Sequence, residues 1–306
     1  MADAAPALEF DTLFDPIIGS PMRVAPGIMR ITAPNGGPYT FKGTNTYLLG
    51  EERLAVVDPG PDDPRHLDAL LRAVGGRPVE AILLTHTHRD HSRLARQLSA
   101  AVGAPVWFEG PHRPSRSRRP LERDPIRGGS DYDLEPDREL ADRESLELAG
   151  MQIEVIATPG HCANHLCFGI QNTPWMLSGD HVMGWNTTMI ASPDGSMAAY
   201  LNSLLLLNGL PYRHYLPGHG GPIDDGPTFA RWLLQHREMR NEEVVLAIAA
   251  GARRIGEVVR AIYPRLPMQV IPAARMTIAA HVEYLAAQGR IAVRRGPLGM
   301  VLSPLP

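Results

Sequence analysis

Short apolar runs separated by turns rich in glycine, proline and charge fill the first third of the chain. Asn45-Thr46-Tyr47-Leu48-Leu49-Gly50 and Leu54-Ala55-Val56-Val57-Asp58-Pro59-Gly60 predict two strands joined by the charged turn Glu51-Glu52-Arg53. His66 to Val74 has the spacing of an amphipathic helix, closed by Gly75-Gly76. The apolar run Ala81-Ile82-Leu83-Leu84 predicts a buried strand. A helix from Ser92 to Val102, with Gly103 after its end, and a strand from Pro105 to Phe108 follow. Strand, helix, strand, helix, strand is the order of a sheet covered by helices, an α/β arrangement. Strand patterns resume at Gln152 to Ala157, Leu166 to Gln171 and Trp175 to Leu177. A helix spans Ser196 to Leu207, and Arg213 to Leu216 is a further short strand.

After Gly226 the period becomes helical. Phe229, Trp232, Leu233, His236, Met239, Val244, Ala247 and Ile248 keep that spacing over one long helix, and Ile255 to Tyr263 and Ala273 to Ala287 form two more. Arg290 to Arg294, a turn at Gly296-Pro297 and Leu298 to Leu302 complete a hairpin. Three helices and a hairpin predict a small winged-helix-like α+β unit, which divides the chain into 1–226 and 227–306. Gly110 to Arg138 fits neither part. Arg113-Pro114-Ser115-Arg116-Ser117-Arg118-Arg119-Pro120 is basic, and Asp131 to Asp137 is acidic. Such a long excursion could overhang a site. As a basic patch it would bind phosphates; as a charged loop it would simply be solvated.

Composition changes this picture little. The 306 residues are 44% hydrophobic with a net charge of −3, so nothing global advertises nucleic acid or membrane. Lys42 is the sole lysine. Cys162 and Cys167 cannot scaffold a chain of this length and are expected as reduced thiols. Met1-Ala2-Asp3-Ala4-Ala5-Pro6 has neither the basic start nor the apolar core of a secretion signal. No apolar run approaches the ~18–20 residues that cross a bilayer. The expectation is a cytoplasmic protein without membrane contact.

Chemistry concentrates in Thr85-His86-Thr87-His88-Arg89-Asp90-His91, at the end of the Ala81–Leu84 strand. An extended backbone points His86 and His88 to one side. Imidazoles suit a borderline-soft divalent ion, and a carboxylate can take a second. Three later segments each run an apolar strand into a glycine-flanked ligand: Thr158-Pro159-Gly160-His161, Ser178-Gly179-Asp180-His181 and Pro217-Gly218-His219-Gly220. Glycine there lets a tight loop bring a side chain close to an ion. Seven ligands exceed one tetrahedral zinc but suit two ions. His86, His88 and His161 are assigned to one, and Asp90, His91 and His219 to the other, with Asp180 bridging. His181 is read as a packing or solvent-facing residue, and His281 is given no chemistry.

On these motifs the chain resembles the metallo-β-lactamase superfamily over about residues 20–225. The resemblance implies an αββα sandwich with the metals along one edge of two packed sheets. It also implies that Asp58, ending an early strand, supports a ligand histidine through its distal N–H; a turn role in Asp-Pro-Gly is the alternative. His165, in Gly160-His161-x-x-x-His165, matches a non-ligand histidine that could orient substrate or donate to a developing oxyanion, a structural role being equally open. Zinc is the implied ion, two per chain, with Mn2+ or Fe2+ as alternatives. A metal-bridging hydroxide would attack, oriented by Asp90 as the catalytic carboxylate.

Gly43-Thr44-Asn45-Thr46-Tyr47-Leu48, Ser178-Gly179-Asp180-His181-Val182-Met183-Gly184 and His236-Arg237-Glu238 extend the likeness, over nearly the whole chain, to the β-lactamase-like-2 group. Its animal member is an endoribonuclease specific for single strands, so single-stranded RNA is one implied substrate. A glyoxalase II-like thioesterase or a lactonase acting on a small ester or thioester is the alternative. From Pro227 onward, 11 arginines stand against 5 glutamates and no aspartate, a local charge of about +6 that suits a polyanion. Tyr263 and Tyr284 are that region's only tyrosines, a poor stacking array. The winged-helix-like unit could equally shield a pocket or form a homodimer interface. A metal-bound, non-catalytic module that binds nucleic acid is a further reading, opposed by the complete ligand set.

Overall fold

The computed structural model describes residues 9–305 apart from 121, 123, 297 and 298. The segment Met1–Pro6 lies outside these residues, and so does Pro297 of the expected hairpin turn. Seven strands form the first sheet in chain order: β1 (Met22–Ala25), β2 (Ile28–Thr32), β3 (Asn45–Leu49), β4 (Leu54–Val57), β5 (Val79–Leu83), β6 (Val106–Phe108) and β7 (Arg138–Glu139). Pairing is antiparallel from β1 to β4 and parallel from β4 to β7. The parallel crossovers carry the helices α1 (Pro64–Val74), α2 (Arg89–Ser92) and α3 (Ala95–Val102). The second sheet holds β8 (Ser145–Leu148), β9 (Met151–Ala157), β10 (Leu166–Ile170), β11 (Trp175–Gly179) and β12 (His214–Pro217), ordered β12-β11-β10-β9-β8. The helix α4 (Met197–Leu207) links its last two strands, which run parallel.

Alternation along the strands divides the apolar side chains among three layers. Tyr47, Leu49, Val57 and Leu83 of the first sheet meet Val155, Leu166, Phe168 and Leu177 of the second. The other face of the first sheet, with Leu48, Val56 and Ile82, packs on Leu70 and Val74 of α1 and Leu98 of α3. The outer face of the second sheet, with Ile156, Cys167 and Met176, packs on Tyr200 and Leu204 of α4. This is an αββα sandwich. Each fully buried Leu, Ile or Phe contributes about 1.5–3 kcal/mol to it.

The remaining elements are α5 (Gly226–Ala249), α6 (Ile255–Ile262), α7 (Ile271–Ala287) and the antiparallel hairpin β13 (Ile291–Gly296) with β14 (Gly299–Pro304). Ala230 and Leu233, early in α5, belong to the core outside the second sheet, whereas Val244, Ala247 and Ile248, late in it, join Val258, Ile278, Leu285 and Leu302 in a separate core. One helix therefore serves two cores. No helix of the described residues is long and apolar enough to cross a membrane.

Two departures from the sequence pattern matter for the site. The helix expected over Ser92–Val102 starts earlier and is broken after Ser92. Gly60 explains the break, accepting from Leu94 N–H (3.2 Å) while donating its own N–H to His91 O (3.0 Å). The 110–138 excursion is a charged, largely part-exposed loop and not a free basic patch. Arg113 pairs with Glu109, Arg118 with Asp124, and Arg116 and Arg119 with Glu122 and with Glu283 of α7. The phosphate-binding reading of that run is thereby overturned, because its guanidiniums already have carboxylates.

Candidate metal centre

Four chain segments deliver the site to one edge of the sandwich. His86, His88, Asp90 and His91 follow β5 into α2, His161 lies in the β9–β10 loop, Asp180 follows β11, and His219 follows β12. The first and second sheets are clamped together beside His219. Asn45 Nδ2 donates to the carbonyls of Pro217 (3.0 Å) and Gly220 (2.9 Å), and the Tyr47 hydroxyl donates to Pro217 O (2.8 Å). Thus Asn45 and Tyr47, read only as strand residues and motif positions, hold the last ligand loop in place.

Ligand atoms of His86, His88 and His161 lie within 4.8 Å of one another, as do those of Asp90, His91 and His219. Asp180 stands between the two sets. Its Oδ2 is 3.7 Å from His161 Nε2 and 3.3 Å from His219 Nε2, and its Oδ1 is 3.5 Å from His91 Nε2.

Each of the five imidazoles is held from behind by an acceptor. His91 Nδ1 donates to Asp58 Oδ2 (2.9 Å), His161 Nδ1 to Met189 O (2.7 Å) and His219 Nδ1 to Gly43 O (3.2 Å). His88 is turned round, its Nε2 donating to Asp194 Oδ2 (3.1 Å). The Thr85 hydroxyl gives its proton to Asp58 Oδ2 (2.6 Å), so Thr85 Oγ1 accepts from His86 Nδ1 at 3.0 Å. With the outer nitrogens protonated, the inner ones face each other as lone pairs. His88 Nδ1 lies 3.1 Å from His86 Nε2 and 2.9 Å from His161 Nε2, and His91 Nε2 lies 3.3 Å from His219 Nε2. Lone pairs at such distances repel unless a cation lies among them. Buried Asp180 Oδ1 also lacks a hydrogen-bond partner. The donor set fits two divalent cations.

Electrostatics agree. Burial, then the neighbouring His88, pushes His161 down to about 4, and burial, then His91, pushes His86 well below its ordinary value. Both stay neutral, as ligation requires. Burial alone would raise Asp180 and Asp90, but His219 and His91 outweigh it and hold both carboxylates well below the usual range. Burial likewise disfavours a charged His219, yet Asp180 and Asp90 lift it to about 9.

His165 requires a correction. It is buried, its Nε2 accepts the backbone N–H of Asp180 (3.1 Å), and its Nδ1 donates to Thr158 Oγ1 (2.8 Å). Both ring nitrogens are spent behind the Asp180 loop, so His165 positions that loop and does not meet substrate. His181 packs against Tyr200, ring centroids 4.6 Å apart, and Cys162 and Cys167 are buried free thiols. Asp194 was not singled out by its sequence context, an aspartate in a loop between strand and helix. It is fully buried between His88 and His112, whose Nε2 lies 2.7 Å from Asp194 Oδ1.

A cavity of about 550 Å³ opens onto His88, Asp90, His161, Asp180 and His219. Met183, Trp185 and Met189 wall it from the sandwich, Pro125 and Ile126 from the excursion, and Leu266, Val270 and Ala274 from the C-terminal helices.

Residues 39–219 match the metallo-beta-lactamase superfamily, and residues 255–296 match the beta-lactamase associated winged helix domain. The chain is 27% identical over 259 residues to an atrochrysone carboxyl ACP thioesterase of Aspergillus chevalieri, covering 81% of this chain and 77% of that one. It is 26% identical over 291 residues to the beta-lactamase-like protein 2 homolog of Drosophila melanogaster, covering 91% and 94%. A beta-lactamase domain protein from Burkholderia ambifaria shares the fold with a TM-score of 0.79 at 22% identity, covering 99% and 96%. The family match takes in all seven residues whose donor atoms converge at the sheet edge, and it spans more than half of the chain. By fold and by sequence, this chain belongs to the metallo-beta-lactamase superfamily of hydrolases and carries its associated winged helix domain.

Proposed function

We propose that this chain hydrolyses thioesters or esters with a largely apolar acyl group. His86, His88 and His161 would hold one divalent cation and Asp90, His91 and His219 a second, with Asp180 shared and Asp58 fixing His91 from behind. Zinc is the proposed ion, because histidine-rich sites with two carboxylates suit it. The observation that carries the substrate class is the cavity: beyond the ligands, Ile126, Met183, Trp185, Met189, Leu266, Val270 and Met276 give it apolar patches, interleaved with threonines, tyrosines, Asn186 and Arg237. A pocket of this size and character takes a compact apolar group. A nucleic-acid strand calls instead for an extended cationic groove, whereas Arg237 is the one arginine among the described lining residues and Arg113, Arg116, Arg118 and Arg119 of the excursion are already paired. The thioesterase name of one relative points the same way.

In this reading residues 1–226 carry the chemistry, and residues 227–306 close the cavity. Bound cations would supply Lewis acidity toward the carbonyl oxygen and make water acidic enough to react near neutral pH. Asp90 is the more exposed of the two carboxylates, with 28% of its side chain accessible. It accepts the proton that water loses as its oxygen adds to the carbonyl carbon. The C–S or C–O bond then breaks, and that proton passes to the departing sulfur or oxygen. The test is to offer zinc-loaded protein hexanoyl-N-acetylcysteamine and a single-stranded RNA oligomer. Thioester cleavage lost in Asp90→Asn is the expected result. Cleavage of RNA with the thioester left intact would overturn the reading.

A further inference from the structure

Arg237 of α5 is the only lysine or arginine among the described residues that line the cavity. It is 3% exposed, and no carboxylate of the described residues ion-pairs with it. Its Nη2 donates to the Thr188 carbonyl, its Cζ stands 5.5 Å from the Tyr200 ring centroid, and its Nε has no hydrogen-bond partner. The Thr188 carbonyl and Tyr200, which also hydrogen-bonds the guanidinium, offset only part of the cost of burying a charge without a counter-ion. Apart from the ligand carboxylates Asp90 and Asp180, no acidic side chain of the described residues lines the cavity. Arg240, one turn on, lies 4.5 Å over the ring of Tyr263, itself a lining residue, and its acid, Glu243, faces away on the part-exposed side of α5. His236 is pushed down to about 4 by burial and His281 well below its ordinary value, so both are neutral. Thr188, which holds Arg237 through its carbonyl, also donates from Oγ1 to the carbonyls of Asp180 (2.7 Å) and His181 (3.1 Å). The cation is thus tied rigidly to the loop that carries the shared ligand.

A buried, unpaired, rigidly tethered cation in the wall of a reaction cavity is a binding group awaiting its anion. We propose that Arg237 anchors a carboxylate carried by the acyl part of the substrate, so that the substrates are thioesters of dicarboxylic acids or of similarly anionic acyl chains. This rests on the acyl-hydrolase reading above and sharpens it. Hydrolysis turns at the metal-proximal carbonyl, while the far carboxylate sets which acyl chains enter.

The experiment compares mono-N-acetylcysteamine thioesters of succinic to suberic acid with neutral acyl thioesters of the same chain lengths. The best dicarboxylic member should exceed its neutral counterpart in kcat/KM by at least about tenfold, chiefly through KM, as a charged hydrogen bond allows. That ratio should fall toward one in Arg237→Gln and survive in part in Arg237→Lys. Neutral chains preferred at every length in the wild type would overturn the proposal with no variant needed, and so would a folded Arg237→Gln that keeps the ratio. If neither thioester class is cleaved, the acyl-hydrolase reading has failed, and calorimetry decides the anchor separately. Tighter binding of suberate than of octanoate to zinc-loaded protein, lost in Arg237→Gln, supports it; equal binding overturns it.

Discussion

Gly218 shows how little room the centre leaves. A Cβ at this position would sit 2.5 Å from Asp180 Oδ1 and 2.7 Å from His91 Cε1, whereas at Gly160 it would strike the Tyr200 backbone and at Gly179 the His165 ring. The three glycines that precede ligands therefore do different jobs, and of these only Gly218 abuts ligand atoms directly. Gly218→Ala should cost at least about tenfold in zinc affinity with every ligand intact, the scale seen when groups that orient ligands are disturbed. Competition with a chromogenic chelator would measure it, against Gly209→Ala, where the nearest atom is 3.6 Å away, as the silent control. The candidate ligands stood out because four fall within six residues after an apolar strand, and the other three repeat a strand–glycine–ligand theme; the structure brings their donor atoms together. Asp194 and the role of His165 were not. Each depends on which ring nitrogen faces inward, a fact fixed by loops far away in sequence.

Among the elements, α7 does more than fill the C-terminal core. Glu283 receives hydrogen bonds from Arg116 and Arg119 of the excursion and from Ser192 beside the Asp194 loop. Burial raises Glu283, but these donors outweigh it and leave it below its ordinary value; Glu122, bonded chiefly by Arg116, is held at about 2. A carboxylate whose folded pKa is depressed stabilises the fold above its unfolded pKa and loses that contribution as pH falls through the folded one. The stability gap between wild type and Glu122→Gln should accordingly be full above about pH 4.5 and shrink steadily toward pH 2. Thermal unfolding of both proteins at pH 7 and pH 3.5 checks this, and a gap that widens on acidification would refute it. The sequence pattern showed the opposite charges of this region but not their partners, since Glu283 lies more than 150 residues away. It also passed over β1, β2, β7 and β8, of which β1 and β2 are separated by Pro26-Gly27 and β7 has only two residues. Longer apolar strands such as β9 and β10, and the helices, were read within a few residues of their ends.

Across the whole molecule, the centre is a cluster of buried groups that only cations make compatible. Removing them with dipicolinate should lower the melting temperature, because ions that bind only the folded state stabilise it by about 4 kcal/mol when free metal is a thousandfold above Kd. For a chain of this size that is on the order of 10 °C. Returning zinc should restore it, and an unchanged melting curve would argue that no metal resides here. The layered architecture was readable from the alternation of strand and helix; the cavity was not, because its walls come from the sandwich, the excursion and the C-terminal helices together.

The double duty of α5 has a consequence for anyone wishing to re-engineer specificity. Ala230 and Leu233 sit in one core, Val244 and Ile248 in the other, and Arg237 lies between them facing the cavity. A chimera that borrowed its C-terminal quarter from another member of the superfamily could not be spliced inside this helix without mismatching one interior or the other. A graft beginning at Gly251 would keep α5 whole and replace the Leu266–Thr277 wall while retaining the guanidinium, provided that the grafted residues match Val244 and Ile248 in the second core. Transplants of that kind would separate what the cavity selects by shape from what it selects by charge.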